Sequence, residues 1–426
     1  MYIEEKQSSQ IFQDSSSIEF PKSEKEVSAF IKKFYKSNTS LELVGTSSKK
    51  KIGKLLQCTK TLNLSKLRGV IEYFPEELYI KVKAGTPINQ IEKELKKNKQ
   101  QLAFEPIDFG NLLNGKSDYG TAGGQVACNI SGPRRLKVGS VRDHVLGFRG
   151  VNGRGEIIKS GGTVVKNVTG YDLSKLMCGS FGTLVALTEI TFKVLPAPEE
   201  NKTLIVHNQK IEKALQYLEN CINSSNDVSG AVFLPKEPIV PGCVMNIENT
   251  FKLNDLKEDG SITALRIEGS KNSIDHRIKN LINILQIKNL NISILQSHQS
   301  EIFWHKVKNL EFFSSSKNSI IRIVIPPSEA VKLIYQLSNT FKYYIDWGGA
   351  LIWMEALELS EGMFESIRKK AVKLGGYVTM IKNSTYLPYV EDVFTIGRDR
   401  FSISQNIKKS FDPKKILNPG KMYTGI

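Results

Sequence analysis

The amino-acid sequence predicts an α+β protein of more than one domain, and three observations carry that expectation. Apolar and polar residues alternate in both halves of the chain, most clearly at 78–84 and 190–194, where Ile80, Val82, Ile190 and Phe192 fall on one side of a strand. Helical spacing separates such strands, but without the regular strand–helix–strand beat of a nucleotide-binding Rossmann unit. Leu195-Pro-Ala-Pro198 and the aperiodic Glu199-Glu-Asn-Lys202 then read as a linker, because two prolines end a ladder, and they place a domain boundary near 198.

Taken in order, residues 22–35 carry Val27, Phe30, Ile31 and Phe34 on one helical face, and Leu41-Glu-Leu-Val44 is a strand running into Gly45-Thr-Ser-Ser48. The strand at 78–84 ends at Gly85-Thr86-Pro87. There Thr86 is placed to cap a helix and Pro87 to occupy its first turn, with Ile88, Ile91 and Leu95 following on one face. Beyond the linker, strand-like Leu265-Arg-Ile-Glu268, residues 320–325 and Leu351-Ile-Trp-Met354 alternate with helical stretches such as 274–285, which predicts a helix-covered sheet. Ile403, Ile407 and Phe411 space a terminal helix, stopped by Asp412-Pro413 and Asn418-Pro-Gly420. The sequence shows no internal repeat.

The 426 residues are 40% apolar and 24% charged, an ordinary globular composition. No apolar run approaches the roughly 18 residues that span a bilayer, and the polar start is not a signal peptide, so the expected location is cytoplasmic. The net charge of +16 would suit nucleic acid or an acidic partner, yet its lysines are scattered, as in Lys96-Lys97-Asn-Lys99, which favours a solvated surface over a nucleic-acid face. Five cysteines (Cys58, Cys128, Cys178, Cys221, Cys243) show no Cys-x-x-Cys spacing, and the five histidines no i, i+4 pair, which argues against an iron–sulfur cluster or metal site in this chain.

Chemistry concentrates between 109 and 190. Gly120-Thr-Ala-Gly-Gly124 and Asn129-Ile-Ser-Gly-Pro133 put residues without a Cβ where a backbone turns sharply, and exposed N–H groups in such turns hold phosphate oxygens. Taken alone, that segment is equally a surface loop with no ligand. Gly161-Gly-Thr-Val-Val-Lys-Asn-Val-Thr-Gly-Tyr-Asp172 crowds polar side chains between glycines, as a plain tight turn also would. A G-x-G-x-x-G fingerprint is missing.

Read together, Gly161-Gly162, Lys166-Asn-Val-Thr-Gly-Tyr-Asp-Leu-Ser-Lys-Leu-Met-Cys-Gly-Ser-Phe-Gly-Thr-Leu184 and Thr188-Glu-Ile190 resemble flavoproteins of the vanillyl-alcohol-oxidase class with its PCMH-type FAD-binding domain. Within that class the likeness is to glycolate oxidase FAD-binding subunits of the GlcE type. Gly132-Pro-Arg-Arg135, Gly139-Ser-Val-Arg-Asp143, Ile345-Asp-Trp-Gly-Gly-Ala-Leu351 and Leu417-Asn-Pro-Gly-Lys-Met-Tyr423 fit it too, so it covers nearly the whole chain.

The resemblance implies an FAD-binding domain of two α+β subdomains at 15–198, an α+β cap with an antiparallel sheet at 199–395, and a segment at 396–426 returning to the FAD domain. It puts Gly45, Thr46, Ser47 and Ser48 on a first diphosphate loop and Thr121, Gly123 and Gly124 on a second. Asn129, Ser131, Asp143, Lys166, Asn167, Gly170, Asp172, Gly179, Gly182 and the backbone of Ile190 would contact the rest of the cofactor. Val185 departs from a glycine common in relatives, which questions close backbone approach there. No histidine or cysteine stands in the first loop, which implies non-covalent FAD, and Cys128 nearby reads as a buried small residue.

A 2-hydroxy acid substrate calls for arginine, for which Arg134, Arg135, Arg142 and Arg322 are candidates, although a lone strand arginine such as Arg322 is more often a solvent-face charge. Trp347, Asn418 and Lys421 complete the catalytic candidates. Relatives that oxidise such acids alone carry a histidine-rich metal motif that is not found here. The resemblance therefore implies an FAD-bearing subunit of a heteromeric glycolate oxidase, partnered by a sister FAD-containing catalytic subunit and an iron–sulfur subunit, and peripheral to the membrane through them. The alternatives are a self-sufficient D-2-hydroxy-acid dehydrogenase and a flavin-free assembly subunit.

Overall fold

The computed structural model describes residues 17–54, 56, 58–113, 117–163, 170–235, 260–285, 291–337, 341–384 and 393–426. Helix α1 (Glu24–Ser37) starts where the Ser23 hydroxyl accepts the Glu26 N–H and ends on Asn38 in the left-handed region. It buries Val27, Ile31 and Phe34 over a small parallel sheet in which β1 (Ser17–Glu19) and β2 (Leu41–Val44) flank β3 (Lys60–Asn63).

A five-stranded antiparallel sheet follows, built from β4 (Val70–Phe74), β5 (Tyr79–Lys83), β7 (Val145–Asn152), β8 (Ile157–Gly161) and β9 (Val185–Lys193) in the order β4-β5-β9-β7-β8. The alternation expected at 78–84 is present, with Ile80, Val82 and Ala84 buried. Helix α2 (Ile88–Lys97) buries Ile88, Ile91 and Leu95 as its spacing predicts, but Thr86 does not cap it. The Thr86 hydroxyl instead donates to Lys83 O at 2.6 Å and accepts from Gly69 N at 2.9 Å, bracing the turn before the helix, and Pro87 takes the cap position.

Two strands, β6 (Gln100–Gln101) and β10 (Leu195–Pro196), pair with each other, and β11 (Glu200–His207) starts only four residues after β10. The stretch read as a linker is therefore largely strand. Its signal was hidden because Asn201 and Thr203, on one face of β11, are polar and yet buried.

The remaining strands form one antiparallel sheet of eight: β12 (Val228–Leu234), β13 (Ile262–Gly269), β14 (Ile292–Leu295), β15 (Ser319–Val324), β16 (Phe341–Asp346), β17 (Leu351–Ala356) and β18 (Tyr377–Lys382) join β11 in the order β14-β11-β13-β12-β16-β17-β15-β18. This is a duplication. Each half runs strand–helix–strand, strand–helix–strand, with its fourth strand outermost beside its first, and the two halves join through β12 and β16. The sequence reading found no repeat, because the halves share an order of elements rather than a pattern of residues. The helices Ile211–Ile222, Lys271–Ile284, Ala330–Gln336 and Glu361–Lys373 pack on one face of the sheet, around Leu265, Ile321, Ile345 and Met354. The other face carries Tyr344, Leu351 and Trp353 into a second core shared with Ile107, Phe109, Leu112 and Ile130 from the N-terminal part of the chain.

The C-terminal helix, Arg398–Phe411, returns to the five-stranded sheet, where Ile407 and Phe411 pack. Ile403, expected on the same face, is exposed, and the fully buried position is taken by Lys408.

Candidate functional site

Residues 45–49 and 120–124 meet where β2 and β5 end. A Cβ at Gly45 would lie 2.6 Å from Thr121 Oγ1, and one at Gly123 would lie 3.1 Å from Ala84, so glycine is required for the two turns to close on one another. Gly123 N donates to Ala84 O at 2.7 Å, and the Thr46 hydroxyl donates to Tyr119 O. Two adjoining cavities open here. One is lined by Leu64, Ala84, Gly123, Ser180, Gly182 and Val185, the other by Thr46, Ser47, Ser48, Lys49, Cys128 and Lys421. They share a wall of residues 43–45, Thr121, Gly124, Ala127, Phe181 and Asn418.

The second cavity is basic. Lys49 is 8% exposed, and among the described residues no carboxylate lies within ion-pair distance of it. Burial therefore lowers its pKa, with Cys128 and Asp108 only partly opposing. Lys421 is also buried; its ammonium donates to Lys50 O at 2.7 Å and Lys54 O at 3.1 Å, and burial brings its pKa down to about 8. The sequence reading missed Lys49, which stands in the run Lys49-Lys-Lys51 and looks there like part of the scattered surface charge.

The C-terminal tail closes the site. Buried Lys408 donates to Thr183 O, Asp412 Oδ2 and Leu417 O, all within 2.8 Å, while Asp412 accepts the N–H groups of Ile416 and Leu417. Asn418, thus fixed, accepts Leu43 N and donates to Phe181 O. Asn418 and Lys421, expected as catalytic candidates, line the second cavity beside the 45–48 turn.

Other expected contacts fall elsewhere. Asn129 accepts Arg142 N, Ser131 accepts Val141 N, and Asp143 accepts the N–H and hydroxyl of Ser140, so these side chains brace turns and do not line either cavity. Asp172 caps the helix Leu173–Met177 and pairs with Lys175 at 2.6 Å; Gly170 is exposed. Gly179 faces Asn129 rather than a cavity. Ile190 lies within the ladder between Val82 and Phe148 with its side chain fully buried. Lys166, Asn167 and Cys243 lie outside the described residues. Val185 lines the first cavity, and its bulk is accommodated by Gly150, where a Cβ would sit 2.5 Å from Val185 Cγ1.

On the inner face of the eight-stranded sheet, two strand arginines have opposite surroundings. Arg266 makes two bonds to Glu105 at 2.8 and 2.9 Å, while Arg134 makes two to Glu268 at 3.0 and 2.8 Å. Burial would raise the Glu105 carboxyl, but the guanidiniums of Arg134 and Arg266 overcome it and hold it at about 2. Arg322 is also turned inward, not to solvent. Its guanidinium lies 5.2 Å from the Trp347 ring and 5.9 Å from the Trp353 ring, its enclosed Nε has no hydrogen-bond partner, and burial with Arg135 nearby brings its pKa to about 9. Arg135 sits 4.3 Å from the Trp347 ring. Trp347 itself holds a left-handed φ of 52° and donates from Nε1 to Gly132 O. Arg142 lies in the helix Val141–His144 and is exposed.

Residues 16–161 match the FAD binding domain family. The chain is 29% identical over 391 residues to glycolate oxidase subunit GlcE of Escherichia coli (strain K12), covering 91% of this chain and 94% of that protein. It is 26% identical over 326 residues to glycolate oxidase subunit GlcD of Bacillus subtilis (strain 168), covering 71% and 68%. Among solved structures, 4-ethylphenol oxidase from Gulosibacter chungangensis shares the fold at a TM-score of 0.68 and 13% identity, over 96% of this chain and 89% of that one. The cavities fit such a cofactor. Lys49 offers a buried positive charge with no carboxylate at ion-pair distance among the described residues, and a side chain at Gly182 would meet Asn418 Nδ2 at 2.8 Å and crowd the space beside the two cavities.

Proposed function

We propose, from the premise that this chain is an FAD-dependent oxidoreductase built on a PCMH-type FAD-binding domain, that it serves as the FAD-bearing subunit of a multi-subunit glycolate or 2-hydroxy-acid oxidase. The observation that carries the reading is Lys49, buried beside the glycine turns with no carboxylate at ion-pair distance among the described residues, Glu42 of the same cavity being paired with Lys50, so that a diphosphate would suit it. Bound FAD would supply the acceptor for electrons leaving the CH–OH carbon of the acid. Lys49, the backbone of 45–48, Thr121 and Gly124 would hold the diphosphate, and Asn418 and Lys421 would close over it. The FAD is held without a covalent bond: the first loop has no histidine or cysteine, and burial raises the pKa of the Cys128 thiol, keeping it protonated.

The division of labour follows the subunit likeness. A sister FAD subunit would oxidise the acid and an iron–sulfur subunit would carry electrons onward. Among the described residues no helix is long and apolar enough to cross a membrane, so any membrane contact is assigned to those partners.

Arg322 favours a second reading, in which this chain oxidises a 2-hydroxy acid itself. A guanidinium beside two indole rings and with no carboxylate partner among the described residues would be a seat for one. Purification of the chain alone separates the two. Absorbance near 450 nm, with FAD released by acid precipitation, is expected on either reading; rapid bleaching by glycolate or D-lactate without partners would overturn the accessory role.

A further inference from the structure

A groove of about 750 Å³ lies on the far side of the molecule's last strand, between the C-terminal half of the helix Glu361–Lys373 and residues 394–400. Its charged lining is one-sided: Arg368, Lys369, Lys373, Arg398 and Arg400 against Asp399 alone. Arg368 is already paired with Glu365, and Arg400 donates to the Tyr377 hydroxyl at 2.9 Å, but Lys369, Lys373 and Arg398 are exposed and have no carboxylate partner among the described residues. Between these cations the surface is apolar, with Val372 48% and Tyr377 44% exposed.

We propose that this groove docks an acidic, extended segment of a partner polypeptide. Like charges held around one concavity raise its potential, and each acidic side chain that enters relieves that repulsion. The exposed Val372 and Tyr377 offer the apolar contacts that a peptide makes and that a phosphate backbone does not. A bilayer is flat and is met by protruding cations, whereas these line a concavity. The outer edge of β18 is already closed by residues 393–395, since Met380 N donates to Val393 O and Thr395 N to Val378 O. The segment is therefore gripped by side chains rather than added as a strand.

The proposal deepens the subunit reading by naming a face and a chemistry, yet its test needs no assembled complex. The FAD-loaded chain is titrated with a fluorescein-labelled peptide of glutamates flanking one phenylalanine, and in parallel with the matching lysine peptide, a single-stranded oligonucleotide and phosphatidylserine vesicles. Expected are saturable binding of the acidic peptide alone, weakened by salt, and an affinity loss of about tenfold or more in Lys369→Glu/Lys373→Glu/Arg398→Glu. Lys96→Glu/Lys97→Glu, on a distant helix, should leave it unchanged. Equal binding by both variants, or binding only to oligonucleotide or vesicles, overturns the proposal while the subunit reading stands. Failure of the wild-type chain to co-purify with flavoprotein or iron–sulfur partners would overturn the subunit reading without touching the peptide result.

Discussion

The two halves of the eight-stranded sheet have the same topology and each turns an arginine toward the N-terminal part of the chain, but their surroundings differ. In the first half, Arg266 is stacked 4.7 Å from the Trp304 ring and neutralised by Glu105, within a buried quartet completed by Arg134 and Glu268. In the second, Arg322, half-buried, lies 5.2 Å from the Trp347 ring and 5.9 Å from the Trp353 ring, with another cation, Arg135, beside it and no carboxylate partner among the described residues. Burying an unpaired charge is costly, so a fold keeps one chiefly where something else supplies the opposite charge. The difference teaches that the first half fastens the sheet to the N-terminal part of the chain through ion pairs, while the second leaves its arginine without a carboxylate partner among the described residues.

The contrast can be broken by substitution. The largest effect is expected for Arg266→Ala, which removes two hydrogen bonds to the buried Glu105 carboxylate and leaves Arg134 as its remaining cation among the described residues. Unfolding in urea should show a loss of about 3–5 kcal/mol, the range for removing one partner of a buried pair. Arg322→Ala should leave the urea midpoint within about 1 kcal/mol of wild type, since no partner is stranded, while abolishing any flavin spectral change induced by oxalate. Equal destabilisation by the two would end the comparison.

Lys49→Met tests a buried cation of the second cavity. It should weaken FAD binding by about 10- to 100-fold, corresponding to one charge-assisted bond of about 1.5–3 kcal/mol, without lowering the stability of the FAD-free chain. The smallest expected effect is a pH dependence from Lys421. Its folded pKa, about 8, lies below the ordinary 10.5, so between these values the unfolded chain holds more protons. Stability of the FAD-free chain should thus rise with pH across that window, whereas FAD affinity should fall as Lys421 loses its charge through about 8. Isothermal titration and thermal melts across pH 7 to about 10 measure both slopes.

Much of this was legible in the sequence where one face of an element meets a single core. The strand at 78–84, the helix face of Val27, Ile31 and Phe34, and the glycine turns at 45 and 120–124 were all visible from spacing. Arg322 was not, because alternation with Ile321 and Ile323 shows only that it lies on the opposite face, and a sheet covered on both sides has no solvent face. Lys49 was hidden for a related reason: a lysine's burial depends on which loop folds over it, and nothing in a lysine run marks the one turned inward. The duplication escaped because topology can be copied while residues diverge, and the polar inner face of β11 masked the start of the first half.

The buried Lys408–Asp412 pair fixes Asn418 and Lys421 against loops that lie 375 and 371 residues earlier in the chain. The segment 16–161 that matches the FAD binding domain family therefore lacks, by itself, the wall that Asn418 and Lys421 give these cavities. A chain cut before residue 408 would lack that wall, and its cavities would stand open on one side.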